Sequence, residues 1–219
     1  MRWYRAVALD LDGTLTTGGW PVTAVLDGIA ALRADGVRVL LVTGRILADL
    51  DVEFPNLADR FDVVVAENGC VLRTADWTRP LADPLEPTLL DRLHDSGIGV
   101  RRGQVLLATH ASADHVALDA IESLGLDVHL VRNRAALMLM PAGITKGTGL
   151  REGLAELDIS PHNTARPAGR SPGTGKRCER SPYAHRTRAS CCPKAGDRPP
   201  SAAGPQPRVS SSSRRPRTP

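Results

Sequence analysis

The chain has 219 residues, a length suited to one domain or to one domain with a small insertion, and 42% of them are hydrophobic, enough for a buried core. Aromatics make up only 3%, so Leu, Val and Ala must fill that core. The net charge of +4 hides a split: from Pro161 onward stand 13 of the 28 Lys/Arg and two of the 24 acids, about +11, and the remaining 15 bases and 22 acids give about −7 before it.

No apolar stretch approaches the length that spans a bilayer, which excludes a transmembrane helix. Met1 to Arg5 runs straight into an apolar segment, so no signal peptide is expected and the cytoplasm is the expected setting. The four cysteines, Cys70, Cys178, Cys191 and Cys192, form no CxxC pair and have no His at zinc-site spacing. They read as free thiols, with Cys70 a small buried apolar residue.

In chain order, Ala6 to Leu9 predicts a strand and Thr23 to Ala34 a helix with Val25, Leu26, Ile29 and Leu32 on one face. Gly36 stops that helix, Val37 to Val42 is a continuous apolar strand, and a short helix through Leu50 ends near Pro55. Asp62 to Ala66 is the third strand. Apolar runs of this kind suit a parallel sheet covered on both faces. Arg79 to Pro87, with three prolines, reads as a connector. Beyond it come a helix near Leu89 to Asp95, a strand around Val105 to Thr109, a helix around Ala113 to Leu124, and strands at Val128 to Val131 and Ala136 to Met140. These form a small α+β unit inserted into the larger fold. Pro141 and Gly143 mark the return, and a helix runs from Thr145 to about Leu157. After Ser160 the pattern stops: eleven of the 17 prolines lie from Pro161 onward and Leu, Ile and Val nearly vanish, a composition expected to be disordered.

The chemistry concentrates in ALDLDGT. Asp10 and Asp12 lie at i and i+2 at a strand's end, so they point the same way, at the carboxyl edge where open α/β sheets place ligands. One can attack while the other handles protons, and together they can hold a hard divalent cation. Thr43 and Gly44 in LVTGR follow the second strand, where a hydroxyl and backbone N–H groups can hold phosphoryl oxygens. Lys146 in ITKGTGL starts the last helix, where it opposes the helix dipole; a role against phosphate charge would explain it, and a solvated charge is the bland alternative. The stretch GRSPGTGKR is no phosphate-binding P-loop, because Arg177 stands where Ser or Thr is needed and no strand precedes it.

These pieces, in this order, resemble the haloacid dehalogenase-like phosphohydrolases over about residues 5 to 164. DLDGT matches that family's first motif, VTGR its second and Lys146 in TKG its third, while AENG at Ala66 to Gly69 looks like the segment after the third strand in its Cof-type, class IIB branch. The resemblance implies a Rossmann-like parallel-sheet core from residues 1–80 and 142–164, an α+β cap from 81–141, and a basic tail from 165–219. The small cap is similar to that of archaeal phosphoglycolate phosphatases. It implies a Mg²⁺-dependent phosphatase of small phosphorylated metabolites, such as phosphoglycolate or a sugar phosphate, working through an aspartyl-phosphate. Asp10 would be the nucleophile and Asp12 the proton donor and acceptor. Thr43, Gly44 and Lys146 would bind the phosphoryl group, with Lys146 also orienting Asp10. Mg²⁺ would sit on the Asp10 carboxylate and the Asp12 carbonyl. Asn68 would line the site near the cap, or be part of an ordinary Asn-Gly turn.

Other features keep bland readings. Arg101 and Arg102 could face a substrate carboxylate but read as exposed loop charges; His94, His110, His115 and His129 lack metal-site spacing; Met138 and Met140 alternate with Leu137 and Leu139 as a packed strand.

The family's fourth motif, an acidic GDxxND-like loop after a further strand, has no match. Ser160 to Thr164 looks like its lead-in, but ARPAGRSPGTGKR follows, with no apolar run and no acid. The core is therefore expected to be incomplete at its C-terminal side, and activity impaired. An abrupt move to Arg, Pro, Ser, Gly and Ala is what an alternative frame of GC-rich DNA would give. The nucleotide sequence decides: neither other frame encoding an apolar strand ending in GDxxxD would sink the frameshift idea. The competing account of the tail is a genuine basic extension that binds nucleic acid or another polyanion through counterion release, and the alternative function is a non-catalytic protein, either a pseudo-phosphatase that binds phosphorylated ligands or such a polyanion binder; the near-lack of aromatics argues against base stacking there.

Overall fold

The computed structural model describes residues 4–166 apart from Arg134, so the expected disorder, frame change and polyanion binding of the tail lie outside the described residues. Three parallel strands form the centre of the core: β1 (Ala6–Leu9), β2 (Arg38–Val42) and β3 (Val63–Ala66), with α1 (Thr23–Ala34) and α2 (Leu47–Glu53) in the connections. A hairpin of β4 (Val71–Arg73) and β5 (Thr78–Pro80) then continues the same sheet antiparallel to β3.

The inserted unit consists of α3 (Pro87–Asp95), β6 (Arg101–Arg102), β7 (Leu107–His110), α4 (Asp114–Leu124), β8 (Val128–Asn133) and β9 (Ala136–Pro141). Its strands make an antiparallel sheet in the order β6-β7-β9-β8. The chain returns through α5 (Lys146–Glu156) to β10 (Thr164–Ala165), which pairs parallel to β1 with Ala6 opposite Thr164, giving the core order β10-β1-β2-β3-β4-β5.

Strand periodicity divides the core into two layers. In β2, Val39 and Leu41 face the layer of α1 and α2, with Ile29, Leu47 and Leu50; Leu40 and Val42 face the layer of α5, with Leu150 and Leu154. In β3, Val64 and Ala66 join the first layer, Val63 and Val65 the second. Both faces are therefore dry, as the continuous apolar runs require. Each fully buried Leu in this sheet contributes about 2–3 kcal/mol by area.

The inserted sheet is also two-faced. Leu107, Leu137 and Leu139 pack with Leu89 and Leu93 of α3 and Ala117 and Ile121 of α4. Ala108 and Met140, on the opposite face, belong to the core's own apolar cluster. Met138 and Met140 are thus more than strand filler: they form the underside that faces the core.

The differences from the expected elements are local. β4 and β5 occupy a stretch expected to be loop and connector; three-residue strands are too short to display a period, and Pro80 sits on the outermost strand, where its missing N–H costs nothing. A Thr74 side-chain turn closes the hairpin, its Oγ1 accepting from the N–H groups of Asp76 and Trp77, both at 3.3 Å. Arg101 and Arg102 lie on a strand rather than a loop, and both are exposed, as expected.

Candidate active site

The carboxyl ends of β1, β2 and β3 deliver Asp10, Thr43 and Glu67 to one edge of the sheet, and α5 brings Lys146 to the same place. Asp10 and Lys146 meet directly: Nζ donates to Oδ1 and Oδ2, both at 3.1 Å, and the Leu11 N–H donates to Oδ1 at 2.9 Å. Both side chains are about four-tenths exposed, so the pair adds little stability and matters as geometry.

Lys146 would be disfavoured at a helix start by the dipole. Two features hold α5 there nonetheless. Thr145 caps the helix reciprocally with Thr148, Oγ1 accepting from the Thr148 N–H at 3.1 Å while Thr148 Oγ1 accepts from the Thr145 N–H at 2.8 Å. Gly69 lets the helix end approach: at φ +105°, a Cβ there would lie 2.1 Å from the Thr145 carbonyl oxygen. Gly69→Ala is therefore expected to cost about 2–3 kcal/mol and to push Lys146 off Asp10, read as a lower thermal midpoint together with weaker phosphate binding.

Asp12 is held by a different partner. Arg45 Nε donates to Oδ2 at 3.1 Å and Nη2 to Oδ1 at 2.9 Å, a bidentate fork. Arg45 also pairs with Glu53 and lies over the Phe54 ring, 5.0 Å from its centroid, and Trp20 packs against Phe54 with ring centroids 5.8 Å apart. The Asp12 hydrogen bond is the largest cause that raises the Arg45 pKa above its ordinary value.

Thr43 is fully buried, and its Oγ1 accepts from the Arg45 N–H at 3.1 Å, which leaves its own hydrogen free to donate. Gly44 lines the cleft, and a Cβ there would meet Asn68 Oδ1 at 3.1 Å and Met138 Cε at 3.3 Å. Asn68 is also on the cleft wall, at φ 58°, with Nδ2 directed at the sulfurs of Met138 (3.1 Å) and Met140 (3.6 Å). The Asn68-Gly69 turn thus contacts the inserted sheet on one side and α5 on the other.

The residue that sequence reasoning missed is Glu67. Its carboxylate is fully buried and accepts from the N–H groups of Gln104 (2.9 Å), Val105 (3.0 Å) and Leu106 (3.3 Å), in the turn between β6 and β7. Core and inserted unit are fastened there, immediately before the cleft-lining Asn68. Cys70, just beyond, is buried as expected; burial first and the Glu67 charge second push its thiol up to about 12, so it stays protonated and unreactive.

Asp10, Asp12, Gly44, Arg45, Asn68 and Lys146 border a cleft of about 570 Å³ between core and inserted sheet, closed over by Ala108, Val131, Arg132 and Met138, whereas Thr43, Glu67 and Cys70 are buried and do not line it. An exposed carboxylate oxygen, an ammonium beside it, a backbone N–H turn and a second carboxylate within one small cleft are the parts needed to transfer a phosphoryl group. Among the described residues, no three His, Cys, Asp or Glu side chains converge as a metal site, and no helix is long and apolar enough to cross a membrane.

The family model of the haloacid dehalogenase-like hydrolases matches residues 7–113, which contain the first two motifs and the first half of the insertion. A phosphoglycolate phosphatase of Methanothrix thermoacetophila is 33% identical over 153 residues, 67% of either chain. The Bacillus subtilis protein YxeH is 36% identical over 73 residues, 32% of this chain and 27% of its own length, so this chain spans about a quarter of it. Among solved structures, a haloacid dehalogenase-like hydrolase from Bacteroides thetaiotaomicron superposes with a TM-score of 0.61 at 16% identity, covering 74% of this chain and 80% of that one.

Proposed function

This chain belongs to the haloacid dehalogenase-like hydrolase family, and on that footing we propose that its cleft is the phosphoryl-transfer site of a Mg²⁺-dependent phosphatase of small phosphate monoesters, phosphoglycolate or a sugar phosphate. The observation that carries the reading is the Lys146–Asp10 contact, made across 136 residues by two groups that each motif supplies separately. The setting proposed is the cytoplasm, and the partner a small phosphorylated metabolite.

Asp10 attacks phosphorus, forming an Oδ–P bond as the P–O bond to the alcohol breaks. Asp12, once released by Arg45 and protonated from solvent, gives that proton to the departing alkoxide, then as a carboxylate takes one from the water that attacks the acyl-phosphate. Inorganic phosphate leaves and Asp10 is restored. Lys146 holds Asp10 in line and balances charge, while the Thr43 hydroxyl and the Gly44 N–H bind phosphoryl oxygens. Asn68 lines the cleft where the inserted unit, the cap in this reading, closes it; the proposed core is 1–80 with 142–164 and the cap 81–141.

The donor set fits a hard cation sparingly. Mg²⁺ is ordinarily bound by one or two carboxylates with water and phosphate completing its shell, and here the Asp10 carboxylate and Asp12 carbonyl are the protein groups that would hold it. When bound it would neutralise developing phosphoryl charge. The expected further carboxylates belong after β10, yet Pro167 to Lys176 contains no Asp or Glu. We therefore propose that metal binding and turnover are depressed in this chain.

Two measurements test this. Hydrolysis of p-nitrophenyl phosphate is expected to be slow, to require Mg²⁺, and to saturate only at high Mg²⁺. Replacing the residues after Ala165 by an apolar strand ending in a Gly-Asp-x-x-x-Asp loop is expected to raise kcat/KM by about 10²-fold, since one metal-held charge is worth several kcal/mol in the transition state. No rise in a folded graft would show that the missing carboxylates are not what limits the site. The second reading, a non-catalytic polyanion binder, is favoured by one observation, the 13 Lys/Arg from Pro161 onward. It predicts no turnover at any Mg²⁺ concentration and DNA binding that weakens steeply with salt.

A further inference from the structure

From the left-handed backbone at residues 67–69, and resting on the phosphoryl-transfer reading above, we infer that Glu67 and Gly103 are positioning residues for Lys146. Seating the β6–β7 turn of the inserted unit on Glu67 is what holds the lysine against Asp10. Glu67, Asn68 and Gly69 have φ of 52°, 58° and 105° in succession. For the two non-glycine residues this conformation is unfavourable and persists only where surrounding contacts impose it.

Those contacts come from two sides. On one is the inserted unit, whose Gln104, Val105 and Leu106 N–H groups all donate to the Glu67 carboxylate, and whose Met138 sulfur lies 3.1 Å from Asn68 Nδ2. On the other is α5. A Cβ on Gly149 would lie 2.6 Å from the Gly69 Cα, and one on Gly69 would strike the Thr145 carbonyl, so the two backbones touch with no side chain between them. Lys146 follows Thr145 directly, and its Nζ reaches Asp10. The first turn of α5 therefore rests on a strained turn that the inserted unit holds in place. If the carboxylate loses its three donors, the backbone relaxes toward negative φ, Gly69 withdraws, and Lys146 shifts off Asp10. Gly103 makes the seating possible. A Cβ there would fall within 2.7 Å of both Glu67 carboxylate oxygens, while the Gly103 backbone is not left-handed. Alanine at 103 thus fits its own backbone and displaces the carboxylate. Residues 103–106 do not line the cleft, so such a change reaches the site only through residues 67–69.

The test is equilibrium binding of inorganic phosphate in Mg²⁺ by the full chain, unaltered and as Gly103→Ala, Lys146→Ala and the double variant. Gly103→Ala is expected to bind phosphate about tenfold more weakly, the loss of one hydrogen bond to a charged group. Lys146→Ala is expected to lose about as much. Adding Gly103→Ala to it should then change binding by no more than about twofold, because the lysine that the turn places is gone. If Gly103→Ala shows no thermal unfolding transition, Glu67→Gln is compared in the same way; it keeps one acceptor, and a loss of about threefold is expected. Unchanged phosphate binding in the folded variant, or a loss that adds in full to that of Lys146→Ala, overturns the inference alone. No phosphate binding by the unaltered chain overturns the phosphoryl-transfer reading and this inference with it.

Discussion

Replacing Asp10 by asparagine is expected to lower Mg²⁺-dependent hydrolysis of p-nitrophenyl phosphate by about 10³-fold or more, to the background of the assay. The amide is close to the carboxylate in shape and keeps an oxygen for the Leu11 N–H, so the loop after β1 is preserved. What disappears is the proposed nucleophilic oxygen and the charge that Lys146 Nζ grips at 3.1 Å. The side chain is nearly half exposed, so the folded state should be barely affected, and an unchanged thermal midpoint is the control. A variant that retains turnover within about tenfold would remove Asp10 from the role of nucleophile.

The largest expected effect on stability is at Glu67. Glu67→Ala strips the acceptor from the N–H groups of Gln104, Val105 and Leu106 in a site with no exposed side-chain surface. Hydrogen bonds to a charged acceptor contribute about 1.5–3 kcal/mol each, and stranded buried donors cost about 1–3 kcal/mol each, not additively. A loss of about 4 kcal/mol is expected, visible as a lower denaturant midpoint and a thermal midpoint lowered by about 10 °C. Glu67→Gln keeps one acceptor but sets an amide N–H₂ against N–H donors, so it should fall between. A change below about 1 kcal/mol in the alanine variant would mean that the turn finds water instead, and that Glu67 does not fasten the inserted unit.

Where single segments carried the signal, the sequence was legible. Runs such as VRVLLV and DVVVA dictate buried parallel strands on their own, and the 3.6 period of Val25, Leu26, Ile29 and Leu32 dictates α1. Its place at the end of such a strand puts Asp10 at the sheet edge from local pattern alone. What stayed hidden depends on distant partners. Gly69 is demanded by the Thr145 carbonyl 76 residues away, Glu67 by amides nearly 40 residues on, and the Arg45 fork on Asp12 by a contact across 33 residues. None of these leaves a periodic or local trace. A buried acid immediately before Asn-Gly was the one available hint, because a carboxylate in an otherwise apolar strand end needs a partner. The hairpin β4–β5 escaped for the opposite reason: its strands are too short to show a pattern.

The central claim is that Asp10 accepts the phosphoryl group. Its most direct test is acid quenching of the chain during turnover of a phosphate ester in Mg²⁺, followed by peptide mass spectrometry. The account predicts one phosphoryl group on the peptide carrying Asp10, removed by hydroxylamine and absent from Asp10→Asn. Turnover with no label on that peptide, or label on another residue, would contradict it.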